Sequence, residues 1–111
     1  MKNYAKKWIA QRVTALILIP VTFWFVYNCI SFSSMSYFQI EFFFSSIFNS
    51  FLFYIMMIAM LIHAKIGCET ITEDYILSKK NKNLTKLFIN ILTYTFIVIT
   101  TVSILKITFF I

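Results

Sequence analysis

No charged residue occurs between Val13 and Ile40, and the apolar stretch inside this interval, to about Phe32, supplies the roughly 20 residues that a helix needs to cross a hydrocarbon core. Serines at 31, 33, 34 and 36 then interrupt the pattern and predict the first connection, Ser31 to Gln39. Glu41 to about Ser46 carries Phe42, Phe43 and Phe44, which suits an interfacial segment at head-group depth. A second apolar run extends from Asn49 to Ala64, and with no proline ahead the helix is predicted to continue through Gly67 to Tyr75, outrunning the hydrocarbon by two turns or more. Lys79-Lys80-Asn81-Lys82-Asn83 breaks the pattern before a third run, Leu87 to Leu105, closed by Lys106. The expected fold class is therefore all-α: one integral membrane domain over 1–111 with three transmembrane helices near 12–32, 47–75 and 86–107. Pro20 falls inside the first span and predicts a bend there, with Thr22 and neighbouring helices compensating.

Composition supports lipid as the solvent. The chain is 60% hydrophobic and 13% charged, with a mean hydropathy of +0.84, more apolar surface than a water-soluble domain this short can hide. The net charge of +6 is placed rather than spread. Lys2, Lys6, Lys7 and Arg12 lie at or before the start of the first run, Lys65, Lys79, Lys80, Lys82 and Lys86 follow the second, and the first connection carries only Glu41. Basic flanks mark the inside face, so the N-terminus is expected inside and the C-terminus outside, with Tyr4 and Trp8 forming an aromatic belt. No basic stripe remains for a phosphate backbone, which excludes nucleic acid as a partner. Cys29 and Cys68 have no metal or disulfide spacing and are read as buried thiols. The basic N-terminus lacks a secretory cleavage pattern and an Arg- and Ser-rich presequence. The abundance of Phe, Ile, Asn, Lys and Tyr, all written with A/T-rich codons, fits an organelle-encoded mitochondrial protein first and an A/T-rich bacterium second.

Chemistry concentrates in His63-Ala-Lys-Ile-Gly67-Cys-Glu-Thr-Ile-Thr-Glu73-Asp74-Tyr75. On a helix, His63 and Asp74 differ by about 20° in direction and about 16 Å in height, and Gly67 and Thr70 share that side. The stripe thus stacks an imidazole, a gap without a side chain, and a carboxyl with a phenol. Taken alone, the histidine fits either an interior hydrogen-bonded role or a ligand position, since a ring histidine inside a span is costly without a partner. Tyr75 and Asp74 fit either an interfacial belt with a solvated acid or a polar binding site. Arg12 taken alone is a topological anchor, and Lys65 is expected to face away from His63 and snorkel.

Trp8 with Gln11-Arg12-Val-Thr14-Ala15 leading into the first span, together with His63, Gly67 and Glu73-Asp74-Tyr75 closing the second, resembles the small, D-type membrane anchor subunit of succinate dehydrogenase, respiratory complex II. The spacing from His63 to Asp74-Tyr75 is the specific part, and three spans in a chain of this length agree with it. The resemblance implies that His63 is an axial ligand to the iron of a b-type haem shared with the larger cytochrome b anchor subunit, and that Arg12 binds the haem propionates. It also implies that Tyr75 donates a hydrogen bond to ubiquinone, the substrate, with Asp74 beside it in the quinone site. Further partners implied are the iron-sulfur and flavoprotein subunits and membrane lipid, in the mitochondrial inner membrane or otherwise a bacterial inner membrane.

Succinate oxidation itself lies outside this chain, which has no Gly-rich dinucleotide motif and no cysteine set for a cluster. The expected role is a non-dehydrogenating subunit that anchors the others. A fumarate reductase anchor, or a haem-free structural subunit of another membrane complex, are the alternatives the residues leave open.

Overall fold

The computed structural model describes residues 4–110, with side chains from Ala5 onward, so Lys2 and the Tyr4 ring of the expected flank lie outside the described residues. Within them the chain forms four helices and no strand: α1 (Tyr4–Phe32), α2 (Tyr37–Ser45), α3 (Ile47–Tyr75) and α4 (Lys79–Phe109). The fold class is all-α, and α1, α3 and α4 are each long and apolar enough to cross a membrane. At about 1.5 Å per residue they measure roughly 43–47 Å, consistent with a long dimension of 50 Å.

Serines fix where the later helices begin. The side chains of Ser36, Ser46 and Ser78 accept from the backbone N–H of Gln39, Asn49 and Asn81, satisfying donors that a helix start leaves free. At Ser36 the Gln39 side chain accepts in return from the serine N–H, completing a capping box. These caps account for differences from the hydropathy pattern. α4 starts at Lys79 rather than near 86, because Ser78 caps it and lysine is a good helix former even where the sequence is polar. By the same propensity α1 starts at Tyr4 rather than near 12. The first connection contracts because Tyr37–Gln39 enter α2, the interfacial segment expected around Glu41. α1 runs on through Pro20.

Cross-contacts give the topology. Thr14 meets His63 and Phe25 meets Phe53 between α1 and α3, while Tyr54 meets Thr101 and Ser50 meets Thr108 between α3 and α4. Each pair is antiparallel, so α3 is the central element of an up-down-up arrangement. Its packing uses small and hydroxylated side chains: among the described residues Ala59, Ser50, Thr72, Thr93, Thr100 and Thr14 are buried, alongside only Met56 and Ile66 of the larger apolar ones. Such positions let helices approach closely where lipid removes any hydrophobic gain from association.

The two ends differ. At one, Phe25, Phe32, Phe43, Phe44 and Phe53 form an aromatic cluster under α2, and the Thr108 hydroxyl reaches the Phe44 carbonyl at 3.1 Å and Ser50 Oγ at 2.7 Å. At the other end gather the start of α1, the end of α3 and the start of α4, with all their lysines and Arg12. Cys29 and Cys68, expected to be buried, are both exposed on this chain, since each falls on a helix face that no other element covers.

Candidate functional site

His63 lies on α3 where α1 crosses it. The imidazole is half-buried, and its Nδ1 stands 2.9 Å from Thr14 Oγ1. Thr14 is itself buried, 6% exposed, and its hydroxyl also lies 2.8 Å from the Ala10 carbonyl and 3.2 Å from that of Gln11, as expected of a threonine inside a helix. The only histidine of the chain is therefore turned toward a neighbouring helix and held there.

Arg12 is two residues from Thr14, about 3 Å nearer the basic end. Arg12 thus lies near the level of His63. Its guanidinium sits 4.8 Å from the centroid of the Trp8 ring, a cation–π contact that orients it without neutralising it. Among the described residues it has no carboxylate partner. Arg12 and Trp8 line a groove of about 260 Å³ with Lys7, Gln11, Ile66, Gly67 and Thr70. Gly67 and Thr70 stand one and two turns beyond His63 on the same side of α3.

The gap expected at Gly67 is narrower than the sequence implies, because Gln11 leans into it. A methyl at Gly67 would lie 3.6 Å from Gln11 Nε2, an ordinary contact. Gln11 Oε1 is buried without a hydrogen-bond partner among the described residues, leaving an unused acceptor beside the groove.

Lys65 does not snorkel freely. Its ammonium lies 3.4 Å from Glu69, whose other carboxylate oxygen is 3.1 Å from Lys7 of α1. Glu69 is 6% exposed, so this three-charge cluster ties α1 to α3 directly beside the groove. The sequence held one clue to it, the i, i+4 spacing of Lys65 and Glu69. Thr14 and Gln11 were visible as part of the segment leading into the first span, but a hydroxyl and an amide there do not reveal which neighbour they meet.

At the end of α3, Glu73 pairs with Lys82 and Lys86 of α4. Asp74 is exposed and Tyr75 is 79% exposed, so the phenol and the carboxylate face away from this chain's own packing. The four residues singled out by sequence thus divide. His63 and Arg12 are brought to one helix crossing, whereas Tyr75 and Asp74 sit three turns further on and are exposed among the described residues. No cluster of three or more His, Cys, Asp or Glu side chains suited to a metal ion occurs among the described residues.

Fold and site together define a multi-pass helical membrane protein with an interior histidine and a polar, basic end. Residues 3–102 match the family model described as succinate dehydrogenase/fumarate reductase transmembrane subunit. The chain belongs to that family. It is 31% identical over 101 residues, 87% of this chain and 81% of the relative, to the succinate dehydrogenase hydrophobic membrane anchor subunit of Rickettsia typhi. The protein of that description from Rickettsia prowazekii is 30% identical over the same shares. The chain is thus a membrane anchor subunit of the succinate dehydrogenase type.

Proposed function

We propose that this chain, with a larger cytochrome b anchor, an iron-sulfur subunit and a flavoprotein subunit, forms a succinate:ubiquinone oxidoreductase, holds part of a b-type haem and contributes to the ubiquinone site. Both relatives are bacterial, which favours a bacterial inner membrane over the mitochondrial one expected above. The lysine-rich end then faces the cytoplasm, with the N-terminus inside and the C-terminus outside.

The observation that carries the haem assignment is the seating of His63. Its Nδ1 is occupied by α1, which leaves Nε2 as the ring nitrogen for iron, and a neutral imidazole is a normal haem ligand. The donor set fits the rest of the group. Arg12 is oriented on Trp8, lacks a carboxylate partner among the described residues and lines the groove one turn beyond, so its planar guanidinium suits paired hydrogen bonds to propionates. When bound, the haem supplies a one-electron carrier within the membrane. Tyr75 offers a phenolic hydrogen to one quinone carbonyl oxygen, and Asp74 beside it holds or relays a proton, because quinone reduction takes up two protons for two electrons. Their exposure leaves both groups available to a pocket that the partner subunits complete.

The test is an optical spectrum of the purified complex. A reduced b-type band is expected that disappears or shifts in His63→Ala. An unaltered band in that variant refutes the ligand assignment.

A further inference from the structure

We propose, resting on the reading of His63 as a haem ligand, that Thr14 is the positioning residue for that ligand: its hydroxyl accepts the Nδ1–H and so fixes the tautomer that presents Nε2 to iron. The hydroxyl carries one proton and has three acceptor atoms nearby, Ala10 O at 2.8 Å, Gln11 O at 3.2 Å and His63 Nδ1 at 2.9 Å. Donation to the Ala10 carbonyl is the ordinary habit of a threonine inside a helix. It leaves an oxygen lone pair facing Nδ1, which must then carry the hydrogen. Every group in the chain Nδ1–H to Thr14 to Ala10 is satisfied by this arrangement. The reverse assignment puts the proton on Nε2, where it blocks coordination. Thr14 is buried, so bulk water does not compete for either partner.

A ring nitrogen that donates a hydrogen bond on one side becomes a more basic ligand on the other. A more basic imidazole favours ferric over ferrous iron. Removing the acceptor therefore raises the midpoint potential of the haem without removing the haem. Valine preserves the shape of threonine and deletes the oxygen, whereas serine deletes the methyl and keeps the oxygen. The two variants separate hydrogen bonding from packing.

The experiment is a potentiometric titration of the b-type band in the purified complex carrying Thr14→Val, Thr14→Ser or His63→Ala. Thr14→Val is expected to retain the band with a raised midpoint. A tenfold loss of ferric preference corresponds to about 59 mV for one electron and sets the scale of the shift. Thr14→Ser is expected to titrate like the unmodified complex. A Val variant with unchanged midpoint, or a Ser variant displaced as far as Val, overturns the proposal while leaving His63 as ligand. An unaltered band in His63→Ala instead overturns the underlying reading, whatever Thr14 does. If the Val complex does not accumulate, Thr14→Ala removes the same oxygen and is scored by the same potential.

Discussion

Glu69 is the sole acid buried among the described residues, and the structure allows the consequence of neutralising it to be worked out. Its carboxylate lies 3.1 Å from the Lys7 ammonium and 3.4 Å from that of Lys65. At an effective dielectric of about 20, each attraction is worth about 5 kcal/mol before desolvation. Burial of the ions takes back several kcal/mol for each. The two lysine side chains keep part of their hydration, being 31% and 21% exposed. Glu69→Gln leaves two like charges facing a neutral amide at the α1–α3 contact. Breaking a fully buried pair costs about 3–5 kcal/mol, and the partial exposure of the lysines brings the expected loss down to about 1–3 kcal/mol. Replacing all three together, Lys7→Met, Lys65→Met and Glu69→Leu, removes charge and partner alike and is expected to return stability to within about 1 kcal/mol of the original. The assay is unfolding of the purified complex in mixed micelles of rising denaturing-detergent content. Wild-type stability in Glu69→Gln, or a triple variant no more stable than the single one, refutes the claim that paired burial holds α1 to α3.

Three further outcomes test the site from other directions. Tyr75→Phe is expected to slow ubiquinone reduction while electron transfer from succinate to a soluble dye survives; unchanged quinone turnover removes the phenol from the site. Gly67→Ala is expected to be accommodated, because the added carbon meets Gln11 Nε2 at 3.6 Å and alanine gains about 0.5–1 kcal/mol of helix stability over glycine. Gly67→Leu, by contrast, fills the groove beside Arg12 and is expected to lower haem per complex measured as pyridine haemochrome; full occupancy in that variant means the groove lies away from the haem.

What the sequence made legible follows from what lipid demands. Uninterrupted apolar runs fix where helices must lie, because a span cannot leave backbone groups unpaired in hydrocarbon. Helix ends outside the hydrocarbon are under no such demand. Hydropathy therefore does not report where α1 and α4 begin as helices, since lysines and asparagines prolong them beyond the apolar runs and Ser78 provides a cap. The stripe of His63, Gly67 and Asp74 was readable because period alone sets which residues share a side. Partners on other helices were not readable from that period: Thr14 for His63, Lys7 for Glu69 and Gln11 against Gly67 depend on which turn of α1 crosses which turn of α3. The thiols illustrate the opposite error. An apolar neighbourhood in sequence suggested burial, yet both cysteines occupy uncovered faces, since surroundings of one polarity throughout a span carry no information about which side is inside.

The same geometry gives the two halves of the proposed site different physical origins. His63 is set by this chain alone: a buried hydroxyl on α1 engages one ring nitrogen, and the Lys7–Glu69–Lys65 cluster secures the crossing two turns away. Among the described residues Tyr75 and Asp74 have no such support, and the end of α3 alone fixes their position. The nearest ties, from Glu73 to Lys82 and Lys86, brace α3 against α4 and leave the phenol free. On the proposed reading, ligand geometry at iron is preorganised before assembly, whereas the quinone pocket acquires its shape only when the partner subunits close over an exposed ring. Substitutions that remove the hydroxyl at the α1–α3 crossing should therefore alter the haem's potential, and substitutions around Tyr75 should alter quinone turnover with that potential unchanged.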